Sequence, residues 1–221
     1  MIAPEAALAG EDDRLRAAVV VVDRSAQVPL DRLPLPVEQR PFNALFEALT
    51  LRTAGFSAVD TGALLQPTAF VVMALMFIGG ASGSTAGGIK VNTFAVLIIA
   101  IISTVKGEPS ATAFGRRIKH AIVYRALAVL ILGLGFVFLV GLGLTLTTEA
   151  TFVQTLFEAI SAFGTVGAST GITPDLSDPA RLITSFAMFV GRLGPLTLVL
   201  ALAARAHPVS YRPAVESVRI G

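Results

Sequence analysis

Two stretches of one pattern constrain this chain more than anything else in it. Leu45-Phe46-Glu47-Ala48 is followed, after four residues, by Thr53-Ala54-Gly55-Phe56-Ser57. Leu156-Phe157-Glu158-Ala159 is followed, after five, by Thr165-Val166-Gly167-Ala168-Ser169. Each is a short apolar helical pattern that runs into a Thr-x-Gly-x-Ser return. The second return lies in residues 161–171, SAFGTVGASTG, a small and polar island between long apolar runs. An internal repeat of this kind sets the architecture before any single residue does.

The surroundings of the island are those of a membrane protein. The chain of 221 residues is 54% hydrophobic and only 14% charged, against about 25% charged in soluble domains. Its mean hydropathy is +0.76. It has no cysteine, which excludes a disulfide framework, thiolate metal ligands and a thiol nucleophile. A net charge of +2 is small, so no nucleic-acid partner is implied.

Residues 1–41 do not match the rest. Their one apolar run, residues 17–22, is far shorter than the roughly 20 residues that cross a bilayer. The region reads as irregular and non-spanning. Residues 42–105 hold the first short helix, its Thr-x-Gly-x-Ser return and a broken apolar crossing. The helix, with Phe42, Leu45, Phe46 and Leu49 on one face, rises only ~15 Å, about half a bilayer. The crossing has two arms, residues 64–78 and 89–105, interrupted by Gly79-Gly80-Ala81-Ser82-Gly83-Ser84-Thr85-Ala86-Gly87-Gly88. Irregular backbone at that depth is tolerated only where protein or water surrounds it. The interruption is therefore expected to line a cavity.

Residues 106–119 carry Lys106, Arg116, Arg117 and Lys119 against Glu108, which marks a cytoplasmic loop. Residues 120–206 read as one complete unit. Residues 121–147 form a span whose Gly133, Gly135, Gly141 and Gly143 admit a close neighbour. A half-helix over 151–162 enters the polar island. A second full span is expected over 182–204, with Arg192 near its centre, and residues 207–221 form a cytoplasmic tail. The fold class is thus an all-α membrane protein of repeated membrane-pore-membrane units: helix, pore half-helix with loop, helix. About one and a half of these units are present.

A half-helix that enters the bilayer and returns through a glycine is a pore loop. Its carbonyl end carries the negative pole of the helix dipole and favours a cation. The return can turn backbone carbonyls inward to replace an ion's water, as in rings of filter carbonyls. Neither loop presents a carboxylate ring for divalent ions. Carbonyl coordination suits a monovalent, weakly hydrated ion, with potassium favoured over sodium.

Five stretches carry a specific resemblance: residues 52–56, Arg52-Thr53-Ala54-Gly55-Phe56; residues 76–90, MFIGGASGSTAGGIK; residues 161–173; residues 188–198, MFVGRLGPLTL; and the tail ending in Arg219-Ile220-Gly221. Together they resemble the Trk/Ktr/HKT superfamily of potassium and sodium transporters, built from four membrane-pore-membrane repeats in one chain, and the tail looks closer to the Ktr branch. The resemblance implies that residues 42–221 hold the third and fourth pore loops. It implies a selectivity filter at Thr53, Ala54, Gly55, Phe56 and at Thr165, Val166, Gly167, Ala168. The transported K+ would be bound by the backbone of Thr53, Ala54, Gly55, Thr165, Val166 and Gly167. It implies a gate formed by Gly79, Gly80, Gly83, Ser84, Thr85, Gly87, Gly88 and Lys90, faced by Arg192. It further implies a homodimer in the cell (plasma) membrane and a cytosolic nucleotide-binding ring subunit that controls the gate. No cofactor is expected in this chain itself.

Rival readings are weaker. Gly167-Ala168-Ser169-Thr170-Gly171 fits a hydrolase nucleophile elbow, but that motif needs a preceding strand and a partner His and Asp. Residues 83–90 are similar to a phosphate loop, but Ile89 separates the required Gly-Lys pair. Glu47 and Glu158 recur at one place in the repeat and are expected to bond backbone beside the filter; Arg52 is expected to brace the first loop. Four loops make a ring and two are present. The chain is therefore expected to be the C-terminal half of a longer protein, with a truncated non-conducting membrane component, or a sodium-permeable member of the superfamily, as the alternatives.

Overall fold

The computed structural model describes residues 40–58, 60–108, 110–113 and 115–194. Of the expected irregular region 1–41, residues 1–39 lie outside these residues, as does the tail 207–221, while Arg40 and Pro41 are not irregular but open the first helix. Among the described residues there are six helices, in chain order α1 Arg40–Thr50, α2 Gln66–Phe77, α3 Val91–Val105, α4 His120–Thr147, α5 Phe152–Gly164 and α6 Asp178–Leu193. Short 3-10 turns at Thr61–Ala63 and Thr173–Asp175 follow the two Thr-x-Gly-x-Ser loops. The loop expected over residues 106–119 contains a small antiparallel hairpin, β1 Thr112–Ala113 with β2 Arg116–Arg117.

Length assigns the helices their roles. α4, with 28 residues and a mean hydropathy of 2.8 over its apolar window, rises ~42 Å and spans a ~30 Å hydrocarbon layer with room to tilt. It is the one described helix long and apolar enough to cross. Its outward residues Leu134, Phe138, Leu139 and Leu146 are exposed, a surface suited to lipid. α5 has 13 residues and rises only ~20 Å. Its start is set by a reciprocal capping box between Thr151 and Gln154. Its end is set by Thr165, left-handed at φ 51° and ψ 38°.

α2 and α3, with 12 and 15 residues, are each too short to cross, yet together they rise ~40 Å. Ile78 and Ile89 form a parallel bridge, in which Gly79 N donates to Ile89 O at 2.8 Å and Ile89 N to Phe77 O at 3.3 Å. A parallel bridge between residues so close in sequence means that the chain passes the same level twice in the same direction. The loop between them leaves this bridge and returns to it.

The core surrounds the end of α5. Phe157, Phe163, Met76, Ile89 and Leu144 are fully buried. Phe163 stacks on Phe77 and Phe136, both at 5.9 Å, and Phe136 meets Phe186 at 6.1 Å. This aromatic chain ties α2, α5, α4 and α6 together. Of the four glycines on α4, Gly133 faces Ile89 and Phe163, Gly141 faces α5, and Gly143 faces Ile183 of α6. Gly135 meets nothing; the sequence reading of it as a packing glycine is corrected, since it lies on an open side of the helix.

The span expected over residues 182–204 differs as well. α6 starts earlier, capped by Ser177, whose side chain accepts from Ala180 N. It stops at Leu193, where Gly194 takes φ 81°. Pro195 follows, and the residue before a proline is disfavoured in the helical region. Residues 195–204 lie outside the described residues.

Candidate functional site: two Thr-x-Gly-x-Ser loops and the broken crossing

The two loops are built alike in backbone conformation. Thr53 and Thr165 are the only described non-glycine residues with positive φ, at 74° and 51°. Gly55 and Gly167 follow at 75° and 90°, with Ala54 and Val166 between them outside the positive-φ set. Each loop therefore alternates in the sign of φ across Thr-x-Gly. The threonines share the conformational demand with the glycines.

The frame that holds each loop repeats too. Ala54 N donates to Thr50 O at 3.0 Å, and Val166 N to Ser161 O at 3.0 Å. The Thr50 hydroxyl accepts from Phe56 N at 2.9 Å, and the Ser161 hydroxyl donates to Ala168 O at 2.5 Å. The Glu47 carboxylate accepts from Ala58 N at 2.7 Å, and the Glu158 carboxylate from Thr170 N at 3.1 Å. Both glutamates thus bond backbone beside their loops, as expected. Thr50 and Ser161 were not singled out from the sequence. Their signal was present as a hydroxyl at the same place in both copies.

The loops also touch each other. A Cβ added at Gly55 would lie 2.2 Å from the Val166 carbonyl oxygen. Thr61 Oγ1 donates to Ser169 O, and Gly62 sits against Thr170 O. Gly167 and Phe56 are exposed, while Val166 is buried. Arg52 is exposed.

The broken crossing meets the inner end of the second loop. Gly79 and Gly87 press together so closely that a Cβ on Gly79 would fall 2.1 Å from Gly87 O. Gly87 lies against Thr165 and Gly164 O, and Gly88, at φ 67°, against Gly164. These three glycines are buried and Gly80 is half-buried, whereas Gly83, Ser84 and Thr85 form an exposed tip. The tip is a turn closed by Ser84, whose N and hydroxyl both donate to Ala81 O. Two cations reach it. Lys90 Nζ donates to Ala86 O and, at 3.5 Å, to Ser84 O. Arg192 on α6 donates to Thr85 O. Its neighbour Gly191 lies so near α5 that an added Cβ would be 1.9 Å from Phe163 O. The structure thus brings together the loop residues, the glycine excursion, Lys90 and Arg192. Gly191, given no role from the sequence, allows the approach.

Ser169, the candidate nucleophile of the rejected elbow reading, donates its hydroxyl to Glu158 and shares a 2.7 Å bond with the Thr173 hydroxyl. Among the described residues, no group of three or more His, Cys, Asp or Glu could hold a metal ion.

Comparison with known proteins places this arrangement. The family model TrkH, described as a cation transport protein, matches residues 20–210. The Ktr system potassium uptake protein B of Bacillus subtilis is 43% identical over 169 residues, covering 76% of this chain and 38% of that protein. The potassium/sodium uptake protein NtpJ of Enterococcus hirae is 39% identical over 189 residues, covering 83% of this chain and 42% of that protein. The crystal structure of the potassium transporter TrkH from Vibrio parahaemolyticus superposes with a TM-score of 0.66 at 21% identity, covering 86% of this chain and 43% of that one. The chain spans about two fifths of the length of these relatives. The repeated loops, the broken crossing and the family match agree: the chain belongs to the TrkH cation transport protein family.

Proposed function

We propose that the chain forms part of the ion-translocating subunit of a potassium uptake system, multi-pass in the cell membrane. K+ is bound by backbone carbonyls of Thr53, Ala54, Gly55, Thr165, Val166 and Gly167, which form two sectors of a four-sector filter. The observation that carries this reading is the alternating sign of φ across both Thr-x-Gly segments. Reversing the hand of successive residues turns their peptide planes so that the carbonyls share one side. A row of carbonyls facing one way replaces the hydration of a monovalent cation. The dipole of α5 adds its negative end at the same place. Potassium is the ion the geometry and the relatives' names favour. Sodium is the second candidate, because one relative is named as a potassium/sodium uptake protein.

Residues 79–88 act as the gate beneath the filter. Their tip carbonyls at Ser84, Thr85 and Ala86 are held by Lys90 and Arg192. Two cationic groups on the conduction path repel a cation, and carbonyls bonded to them do not hydrate one. Opening then requires Arg192 to release Thr85. Control by a cytosolic nucleotide-binding ring subunit and a homodimeric assembly complete the proposal. The basic hairpin at Arg116–Arg117 offers such a subunit a docking face.

Potassium and sodium flux into vesicles holding a complete four-sector assembly that contains this chain tests the filter. Gly167→Ser is expected to lower the preference for potassium several-fold, since φ 90° costs an ordinary side chain ~1–2 kcal/mol; unchanged preference removes the filter assignment. Arg192→Ala is expected to raise basal flux at equal protein content. Flux equal to wild type in that variant assigns Arg192 a role outside the gate.

A further inference from the structure

Glu158 stands out among the acidic residues of the described chain. It is only 4% exposed, on a half-helix that rises about half a bilayer. A carboxylate so buried is costly unless it is well bonded, and this one is. Oε1 accepts from the Ser169 hydroxyl and from Thr170 N at 3.1 Å, and Oε2 accepts from the Thr173 hydroxyl at 3.3 Å. The donors come from the segment that leaves the second Thr-x-Gly-x-Ser loop and from the 3-10 turn after it. Ser169 in turn bonds Gly171 N at 3.0 Å through its hydroxyl, and its carbonyl accepts from Thr61 of the other repeat. One buried carboxylate therefore ties down the outer end of its own loop, the following turn and, through Ser169, the neighbouring loop. Glu47 makes the equivalent backbone bond to Ala58 N but is half-exposed.

We infer that Glu158 is a positioning residue for ion selection: its carboxylate holds the segment Ser169–Thr170–Thr173 and thereby sets the spacing of the Val166 and Gly167 carbonyls across from Gly55. This rests on the proposed filter, and adds that discrimination depends on a side chain that touches no ion. A carbonyl ring discriminates between monovalent ions through the number and placement of its dipoles. A loop released at its outer end loses that placement while the aromatic core, on the inner side of α5, remains.

Two substitutions separate the brace from a general structural role. Glu158→Gln keeps a carbonyl oxygen that accepts from Thr170 N and an amide that the Thr173 hydroxyl accepts. Glu158→Ala keeps neither. Amide hydrogen exchange of the purified chain in detergent, read on the peptide covering residues 165–173, is expected to rise at least tenfold in Glu158→Ala and to stay within about threefold of wild type in Glu158→Gln. Exchange in the α4 peptides is expected to be unchanged in both. In vesicles, the potassium-over-sodium flux ratio is expected to fall about tenfold in Glu158→Ala and to be restored in Glu158→Gln. Unchanged exchange in Glu158→Ala overturns the inference. So does equal loss in both variants, which would assign the effect to charge. A complete four-sector assembly of wild-type sequence that shows no ion preference fails the proposed function instead, and the exchange arm still decides the brace.

Discussion

Gly55→Ala is expected to abolish potassium preference while leaving the protein folded. The added Cβ would stand 2.2 Å from the Val166 carbonyl oxygen, far inside contact distance, and the obstacle is backbone, which cannot rotate away. The residue also sits at φ 75°, which costs an ordinary side chain ~1–2 kcal/mol. The cheapest relief moves Val166 O out of line, and that oxygen is one of the proposed ion ligands. Each 1.4 kcal/mol of lost ion stabilisation is about tenfold in preference, so strain plus displacement predicts a loss of at least about tenfold in competition flux. Gly167→Ala is the informative comparison. Its φ is 90° but its Cβ would have 3.7 Å to the nearest atom, Gly55 Cα. It suffers strain without collision, so its loss should be smaller. A reversed order would mean that Gly55 and Val166 are not neighbours across an ion path.

Gly191→Val is expected to prevent α6 from seating on α5. A Cβ there would lie 1.9 Å from Phe163 O and 3.0 Å from Phe163 Cα. Phe163 is fully buried at the centre of the aromatic chain, so it has no room to retreat. Overpacking of this kind costs ~1–3 kcal/mol and sometimes more, and here the clash is with backbone. The detergent-solubilised variant should lose its monodisperse peak or unfold at a clearly lower temperature in a size-exclusion melting series. Gly135→Ala is the control, because nothing lies within 4 Å of its Cβ position. Alanine is the better helix former by up to ~1 kcal/mol, so that variant should melt at or above wild type. Equal destabilisation by both would show that the loss does not come from the α5–α6 approach.

Much of the element plan was legible in the chain. α1 and α5 follow the repeated half-helix pattern, α4 follows a single long apolar run, and the broken crossing follows two short arms around a glycine tract. These are properties of local composition and period, which act through burial of apolar surface and backbone satisfaction in lipid. Boundaries were less legible. α6 ends at Leu193 because of one left-handed glycine before a proline, which the run of hydropathy over 182–204 obscured. The hairpin at residues 112–117 rests on tertiary support from Ser103, whose hydroxyl accepts from Thr112 N at 3.1 Å.

The candidate site divides the same way. The repeat pointed to Thr53–Ser57, Thr165–Ser169, Glu47 and Glu158 because residue types recur at fixed offsets. Gly191 lay within the quoted stretch 188–198 without a role of its own, and nothing in the sequence assigned a role to Thr61 or Gly62. Their importance comes from what faces them across 108 residues of chain, in the case of Thr61 and Ser169.

By itself, the sequence determined that this is an all-α membrane protein, that it carries two copies of a short helix running into a Thr-x-Gly-x-Ser loop, and that a glycine tract separates two short apolar arms. Those follow from periodicity, length and the cost of unsatisfied backbone in a bilayer, all of which act locally. Only the tertiary structure decided that the threonines as well as the glycines turn left-handed, that the two loops abut at Gly55 and Val166, and that Arg192 and Lys90 close on the tip of the excursion. These depend on distances between segments remote in the chain, and such distances are set by how close packing lets backbones come.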